Sequence, residues 1–166
     1  MKNISIWSDI KTTSYKSLDK DIDVDILIIG GGITGISSLY HLKNSGLNVV
    51  LVDQNKIGMG VTSKSTGKLC YLQNDLIDKI RTFYSDKVAS IYLNSQIEAI
   101  NNMVNVINVE KINCDLQKTD AYLYTNNAKE VKKIKDLENF LIENNIKIDY
   151  SDVSLVKSKY MIKVTD

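Results

Sequence analysis

Proline is missing from all 166 residues, and histidine and tryptophan occur once each. The chain therefore has no proline-rich tract or stiff extended linker. With asparagine abundant, especially in turns, the absence reads as compositional bias rather than design. The two cysteines, Cys70 and Cys114, are far apart and form no C-x-x-C pair. With His41 the only histidine, the ligands are too few for a zinc site or an iron–sulfur cluster, so no metal site is expected. A serine–histidine nucleophile would also have to use His41, which falls late in a helical pattern and reads better as exposed or capping. Both cysteines are expected to be reduced and partly buried.

An excess of charge of one sign is lacking too. The 21 basic and 20 acidic residues leave a formal net charge of +1. Nothing there points to nucleic acid or an anionic membrane as a partner. The most apolar run, Ile26–Ile36, is far shorter than a bilayer span and is broken by glycines. The start, Met1–Ser17, is polar and lacks the apolar centre of a signal peptide. A cytoplasmic globular protein is the expectation, with enough length for a real core.

What is present concentrates in Asp25–Asp53. An apolar strand, Ile26–Ile29, runs into Gly30, Gly32 and Gly35, spaced G-x-G-x-x-G. A helical pattern follows from Ile33 to about Asn44, Gly46 stops it, and a second apolar strand, Asn48–Val52, ends on Asp53. Strand, glycines, helix, strand and acid in this order make a βαβ unit of the dinucleotide-binding kind. Gly30 permits a sharp turn out of the strand, Gly32 a close approach of backbone to pyrophosphate, and Gly35 tight packing of helix on sheet. The free N–H groups of the helix's first turn suit phosphate oxygens. Asp53 is placed to accept hydrogen bonds from a ribose and would repel a 2′-phosphate, so NADP fits least well.

The next stretch, residues 54–68, is a loop by its Gly58, Gly60 and Gly67. Its hydroxyls (Thr62, Ser63, Ser65, Thr66) and its Lys64 and Lys68 can wrap a pyrophosphate. The same composition also describes a solvated linker. An amphipathic helix is expected over Asp75–Tyr84, then one capped by Ser85 running to about Glu110. The inward stripe of the second is read as Val88, Ile91, Tyr92, Ser95 and Ala99, with Ile100, Met103, Val104 and Ile107 beside it. After Cys114 the pattern changes, and Leu116–Tyr124 includes Ala121-Tyr122-Leu123-Tyr124-Thr125, a strand-like run with Tyr122 and Tyr124 on one face. A helix follows from Asn127, with Glu130 completing a capping box and Val131, Ile134, Leu137 and Leu141 facing inward. Two short strands, Ile146–Tyr150 and Tyr160–Val164, close the sequence. Trp7 either contacts the ligand domain or simply anchors the lead-in segment.

Three of these features together resemble the N-terminal part of the D-amino-acid oxidase (DAO) family of FAD-dependent oxidoreductases. They are DILIIGGGITG (25–35), the strand ending Leu51-Val52-Asp53, and the loop GMGVTSKSTGK (58–68). The resemblance implies FAD as cofactor. It places the pyrophosphate on Gly30, Gly32, Ile33, Thr34 and Gly35, the adenosine ribose on Asp53, and further contacts toward the flavin on Thr62, Ser63, Ser65 and Thr66. An acid at the ribose position is more often glutamate in the family. The lead-in and the Ser-Thr-Gly-Lys sequence are most similar to members with a C-terminal Rieske domain, whose cluster ligands this sequence does not contain.

The implied fold is α/β: a Rossmann-type FAD/NAD(P)-binding βαβ fold, incomplete, with the start of an α+β substrate domain. The implied layout is a lead-in (1–24), an FAD-binding part with a helical insertion (25–113) and the beginning of a substrate domain (114–166). Family members are more than twice this length. The sequence therefore reads as an N-terminal portion that lacks a complete active site, and no catalytic residue is assigned. The implied activity is oxidation of an amine or amino acid by hydride transfer to flavin. The alternatives are one assembly half of a split oxidoreductase that pairs with a C-terminal partner chain, or an inactive NAD- or FAD-binding fragment.

Overall fold

The computed structural model describes residues 13–73, 75–150 and 158–165; Trp7 and the first half of the lead-in lie outside them. The chain is mixed α/β and divides into two compact units, Met1–Lys68 and Leu69–Asp166.

The first unit holds β1 (Ile26–Ile29), α1 (Ile33–Leu42) and β2 (Val49–Val52). The two strands pair in parallel, from Ile26 opposite Val49 to Ile29 opposite Val52. Polar groups ahead of the strands fix this register. The Asp25 N–H donates to the Asn48 carbonyl at 3.0 Å, and the Asn48 N–H donates to the Asp25 carboxylate at 2.7 Å. A slip of one residue would turn every apolar side chain of the strand to the opposite face. In β1, Ile26 and Ile28 are half-buried, whereas Leu27 and Ile29 are 51% and 81% exposed. One face of the strand is thus uncovered.

The second unit contains α2 (Leu76–Phe83), α3 (Asp86–Val109), β3 (Ala121–Thr125), α4 (Ala128–Glu143), β4 (Lys147–Asp149) and β5 (Tyr160–Thr165). Its antiparallel sheet has the order β3-β5-β4. Ile77, Ala89, Leu93, Leu137, Phe140, Leu141 and Val164 form one core, so both helices of the 76–109 stretch pack with the C-terminal sheet. For that reason the compact units part after Lys68, and the expected boundary at 113 falls inside the second.

The Ser85 hydroxyl caps α3 by accepting the Val88 N–H at 3.2 Å, as its position suggests. Asn127 caps α4, but its side chain accepts from the Lys129 N–H at 3.0 Å, and the Glu130 N–H bonds to the Asn127 carbonyl instead of the cap side chain.

Two expectations need correction. The inward stripe of α3 is Ala89 and Leu93, continuing through Ile97; Val88 and Ile91, assigned to it from the sequence, are 42% and 62% exposed. A helix with apolar residues on two faces gives periodicity alone no way to choose between them. Finally, Cys114 is exposed, while Cys70 is half-buried with its thiol donating to the Leu72 carbonyl.

A buried carboxylate ties α4 to β5. Glu138 is 5% exposed and accepts a short hydrogen bond from the Tyr160 hydroxyl. Burial first, and the Glu138 carboxylate second, push the Tyr160 phenol well above its ordinary range.

Candidate functional site

All residues expected to contact a dinucleotide fall in the first unit. β1 leads into Gly30, whose φ of +106° is a conformation that side chains disfavour. Its N–H still donates to the Val52 carbonyl at 2.8 Å, so the turn leaves the sheet without breaking the pairing. Gly32 precedes α1 in an extended conformation and offers no side-chain cap. The first-turn N–H groups of a helix have no intrahelical acceptor; that of Ile33 is met by the Thr62 hydroxyl at 3.0 Å.

The glycines are required by close approach. A Cβ on Gly35 would lie closer than 3.0 Å to the Gly30 carbonyl oxygen, because α1 crosses directly over the end of β1. A Cβ on Gly32 would come to 3.2 Å of the Thr62 hydroxyl. The helix start therefore presents bare backbone, with Ile33 and Thr34 exposed on its rim.

Asp53 follows β2 and turns back onto the glycines. One carboxylate oxygen accepts the Gly31 N–H at 2.7 Å, and the other accepts the Asn55 N–H at 2.7 Å. Each oxygen keeps capacity for a further donor. These backbone bonds, that from Gly31 foremost, hold the Asp53 carboxyl below its usual range. The Gly31 carbonyl in turn accepts the Gly58 N–H at 2.8 Å, which fastens the 54–68 loop to the same turn.

Gly30, Gly32, Ile33, Thr34, Gly35, Asp53 and Thr62 are thus brought together. The Ser63 hydroxyl instead donates to the Gly60 carbonyl at 3.0 Å, and the Ser65 hydroxyl accepts the Gly67 N–H at 3.2 Å, so both shape their own loop. Thr66 is exposed and has no hydrogen bond to the glycine turn. Sequence reasoning missed Gly31 and Gly58 as parts of the site; the signal for the first was the run of three consecutive glycines. The donor set suits a dinucleotide: backbone N–H groups and hydroxyls for phosphate oxygens, and an ionised acid for ribose hydroxyls.

A groove of about 540 Å³ lies in the second unit between α2 and α4. Its arginine is already engaged. Arg81 donates to Asp86 at 2.8 Å and to the Asp136 carbonyl at 3.3 Å, and its guanidinium lies 4.7 Å from the Phe140 ring centre.

The depressed Asp53 gives a pH-dependent expectation. A carboxylate favoured by the fold stabilises it above the unfolded pKa, about 3.9, and the contribution is lost as pH falls through the lower folded value. Asp53→Asn should therefore lower the melting temperature at neutral pH, since one amide oxygen replaces two acceptors. The difference from the parent chain should close as the pH falls through the depressed Asp53 value. Thermal melts at neutral and at acid pH test this, and a gap that persists once Asp53 is protonated would contradict it.

Residues 25–155 match the family model described as FAD dependent oxidoreductase (DAO). The chain is 34% identical over 121 residues to the Rieske 2Fe-2S iron-sulfur protein YhfW of Bacillus subtilis, covering 73% of this chain and 24% of that protein. It is 24% identical over 147 residues to gamma-glutamylputrescine oxidoreductase of Escherichia coli, covering 89% of this chain and 34% of that one. Over 70 residues it is 36% identical to an aerobic glycerol-3-phosphate dehydrogenase of Staphylococcus epidermidis, covering 40% of this chain and 13% of that protein. The chain spans about a third or less of the length of these relatives. No described helix is long and apolar enough to cross a membrane.

Proposed function

The chain belongs to the DAO family of FAD-dependent oxidoreductases, and from that premise we propose that it is the N-terminal, FAD-binding portion of an enzyme that oxidises an amine or amino acid. The observation that carries this reading is the joined set of contacts around α1: Asp53 on Gly31, Gly58 on Gly31, and Thr62 on Ile33. They bring an acid and a hydroxyl from distant parts of the sequence to one bare helix start. In this reading Gly30, Gly32, Ile33, Thr34, Gly35 and Thr62 hold the pyrophosphate and Asp53 holds the adenosine ribose. Ser63, Ser65 and Thr66 line the way toward the flavin. FAD, when bound, supplies the hydride acceptor; the chain's own residues bind and orient it.

The parallel β1-α1-β2 unit is read as the beginning of a Rossmann-type sheet, with α2 and α3 as a helical insertion and 114–166 as the start of a substrate domain. The insertion shares its core with the antiparallel sheet of 114–166. The name of the Escherichia coli relative supports a C–N substrate. Completion of the active site is assigned to sequence of the kind those relatives carry beyond the matched region.

A second reading makes the chain an assembly half that pairs with a separate C-terminal partner. The observation favouring it is the uncovered face of β1, where Leu27 and Ile29 are exposed.

The test is to titrate FAD into the 166-residue chain and follow flavin fluorescence and thermal melting together. A ligand that binds only the folded state raises the melting temperature as its concentration rises. A saturable rise that is abolished by Gly32→Val is expected. No rise, or one that survives the substitution, would remove the cofactor from this site.

A further inference from the structure

We infer that the buried Glu138 carboxylate is a clamp for the β4–β5 hairpin, holding the residue that leaves β4 and the residue that opens β5 against α4. Tyr160 is the first residue of β5 and lies on the strand face of Ile162 and the core residue Val164. From there its hydroxyl donates to Glu138. Tyr150, directly after β4, bonds to the same carboxylate through its own hydroxyl, although the residue is 67% exposed. The Lys135 ammonium, one turn earlier on α4, lies 5.2 Å from the Tyr160 ring centre. Among the described residues no buried side-chain nitrogen or oxygen lacks a hydrogen-bond partner, so the cluster is complete without a ligand.

The geometry of β4 explains why such a clamp matters. It is a three-residue edge strand in the order β3-β5-β4, and Ile148 is its one side chain packed against the core. A strand this short is weakly held by its own ladder. Its approach is fastened to α4 through backbone, the Ile146 N–H donating to the Leu141 carbonyl at 3.0 Å. Glu138 sits about one turn before Leu141 on the same helix and takes the other end through Tyr150. β4 is thus tied to α4 at both ends, and β5 shares the second tie. A buried carboxylate without donors is costly, so each phenol also keeps the charge accommodated. All of these residues belong to the second unit, and the clamp stands whether or not the chain binds FAD.

The experiment is amide hydrogen exchange on the 166-residue chain, read at the amides of β4 and β5. Tyr150→Phe should speed exchange there by about threefold or more, as the loss of one net hydrogen bond does. Tyr84→Phe, at a tyrosine 75% exposed in the same unit, should leave it within about twofold. Glu138→Met keeps the length of the side chain and removes the acceptor. In that background Tyr150→Phe should add less than about twofold. Equal effects of Tyr150→Phe in the two backgrounds, or of Tyr150→Phe and Tyr84→Phe in the parent, would overturn the inference. If Glu138→Met does not fold, Tyr160→Phe supplies the second background. There Tyr150→Phe should speed exchange more than it does in the parent, because Tyr150 is then the remaining phenol on the buried charge. An equal or smaller effect overturns the clamp.

Discussion

Gly35→Ala is expected to abolish FAD binding by this chain while leaving its helix content nearly unchanged. The added methyl would overlap the Gly30 carbonyl oxygen, and no rotamer relieves the clash because Cβ position is fixed by the backbone. One partner must move. Gly30 is held by its N–H on Val52, the last residue of β2, so its retreat would cost the parallel pairing. The helix is the freer element, and it would lift by an ångström or so. That displacement carries the first-turn N–H groups away from their targets, and hydrogen bonds weaken steeply with such errors. It also pulls Ile33 from Thr62. Misplacement on this scale costs about 100-fold or more in a positioned site. Fluorescence titration gives the affinity, and far-ultraviolet circular dichroism shows that α1–α4 persist. An alanine variant that binds as tightly as the parent would mean that α1 does not cross the strand end as described.

The same residues show how much of the site the sequence contained. Gly30, Gly35 and Asp53 were legible because each answers to a local demand: a turn, a close approach, an acid at a strand end. Thr62 was legible as a hydroxyl in a suitable loop, and its bond to Ile33 spans 29 residues. The bond from the Gly58 N–H to the Gly31 carbonyl was not legible, because no propensity or period encodes which backbone groups meet across a turn. The fold divides in the same way. Strand and helix spans follow from apolar runs, caps and glycines, and most fall within a residue or two of the structure. The face of α3 that packs does not follow, since Val88 and Ile91 are as apolar as Ala89 and Leu93. Only the helices and strand that meet it decide, and those contacts are non-local. Phe140 was passed over for a related reason: Val131, Ile134, Leu137 and Leu141 satisfied the helical period without it.

Phe140→Ala should be among the most destabilising single substitutions in the second unit. The ring is 1% exposed and belongs to the core with Ile77, Ala89, Leu93, Leu137, Leu141 and Val164. Truncating a buried phenylalanine costs about 3–5 kcal/mol, in part because the surroundings close only partly on the void. Whole domains are stable by about 5–15 kcal/mol, so the unit would be left close to its threshold. The Arg81 guanidinium over the ring loses its aromatic partner as well, though its bonds to Asp86 and the Asp136 carbonyl remain. That contact is worth about 0.5–1 kcal/mol where the cation is partly exposed, so cavity formation dominates. Phe140→Leu, which keeps most of the volume, should cost less than half as much. Ile142→Ala, two residues along the same helix at a position 49% exposed, should shift stability by under about 1 kcal/mol. Urea denaturation followed by circular dichroism ranks the three. The contrast between 140 and 142 is the informative one, because both residues are large and apolar and differ chiefly in facing. Equal losses would mean that α4 is rotated from the face described, and with it the Glu138 carboxylate that Tyr160 engages.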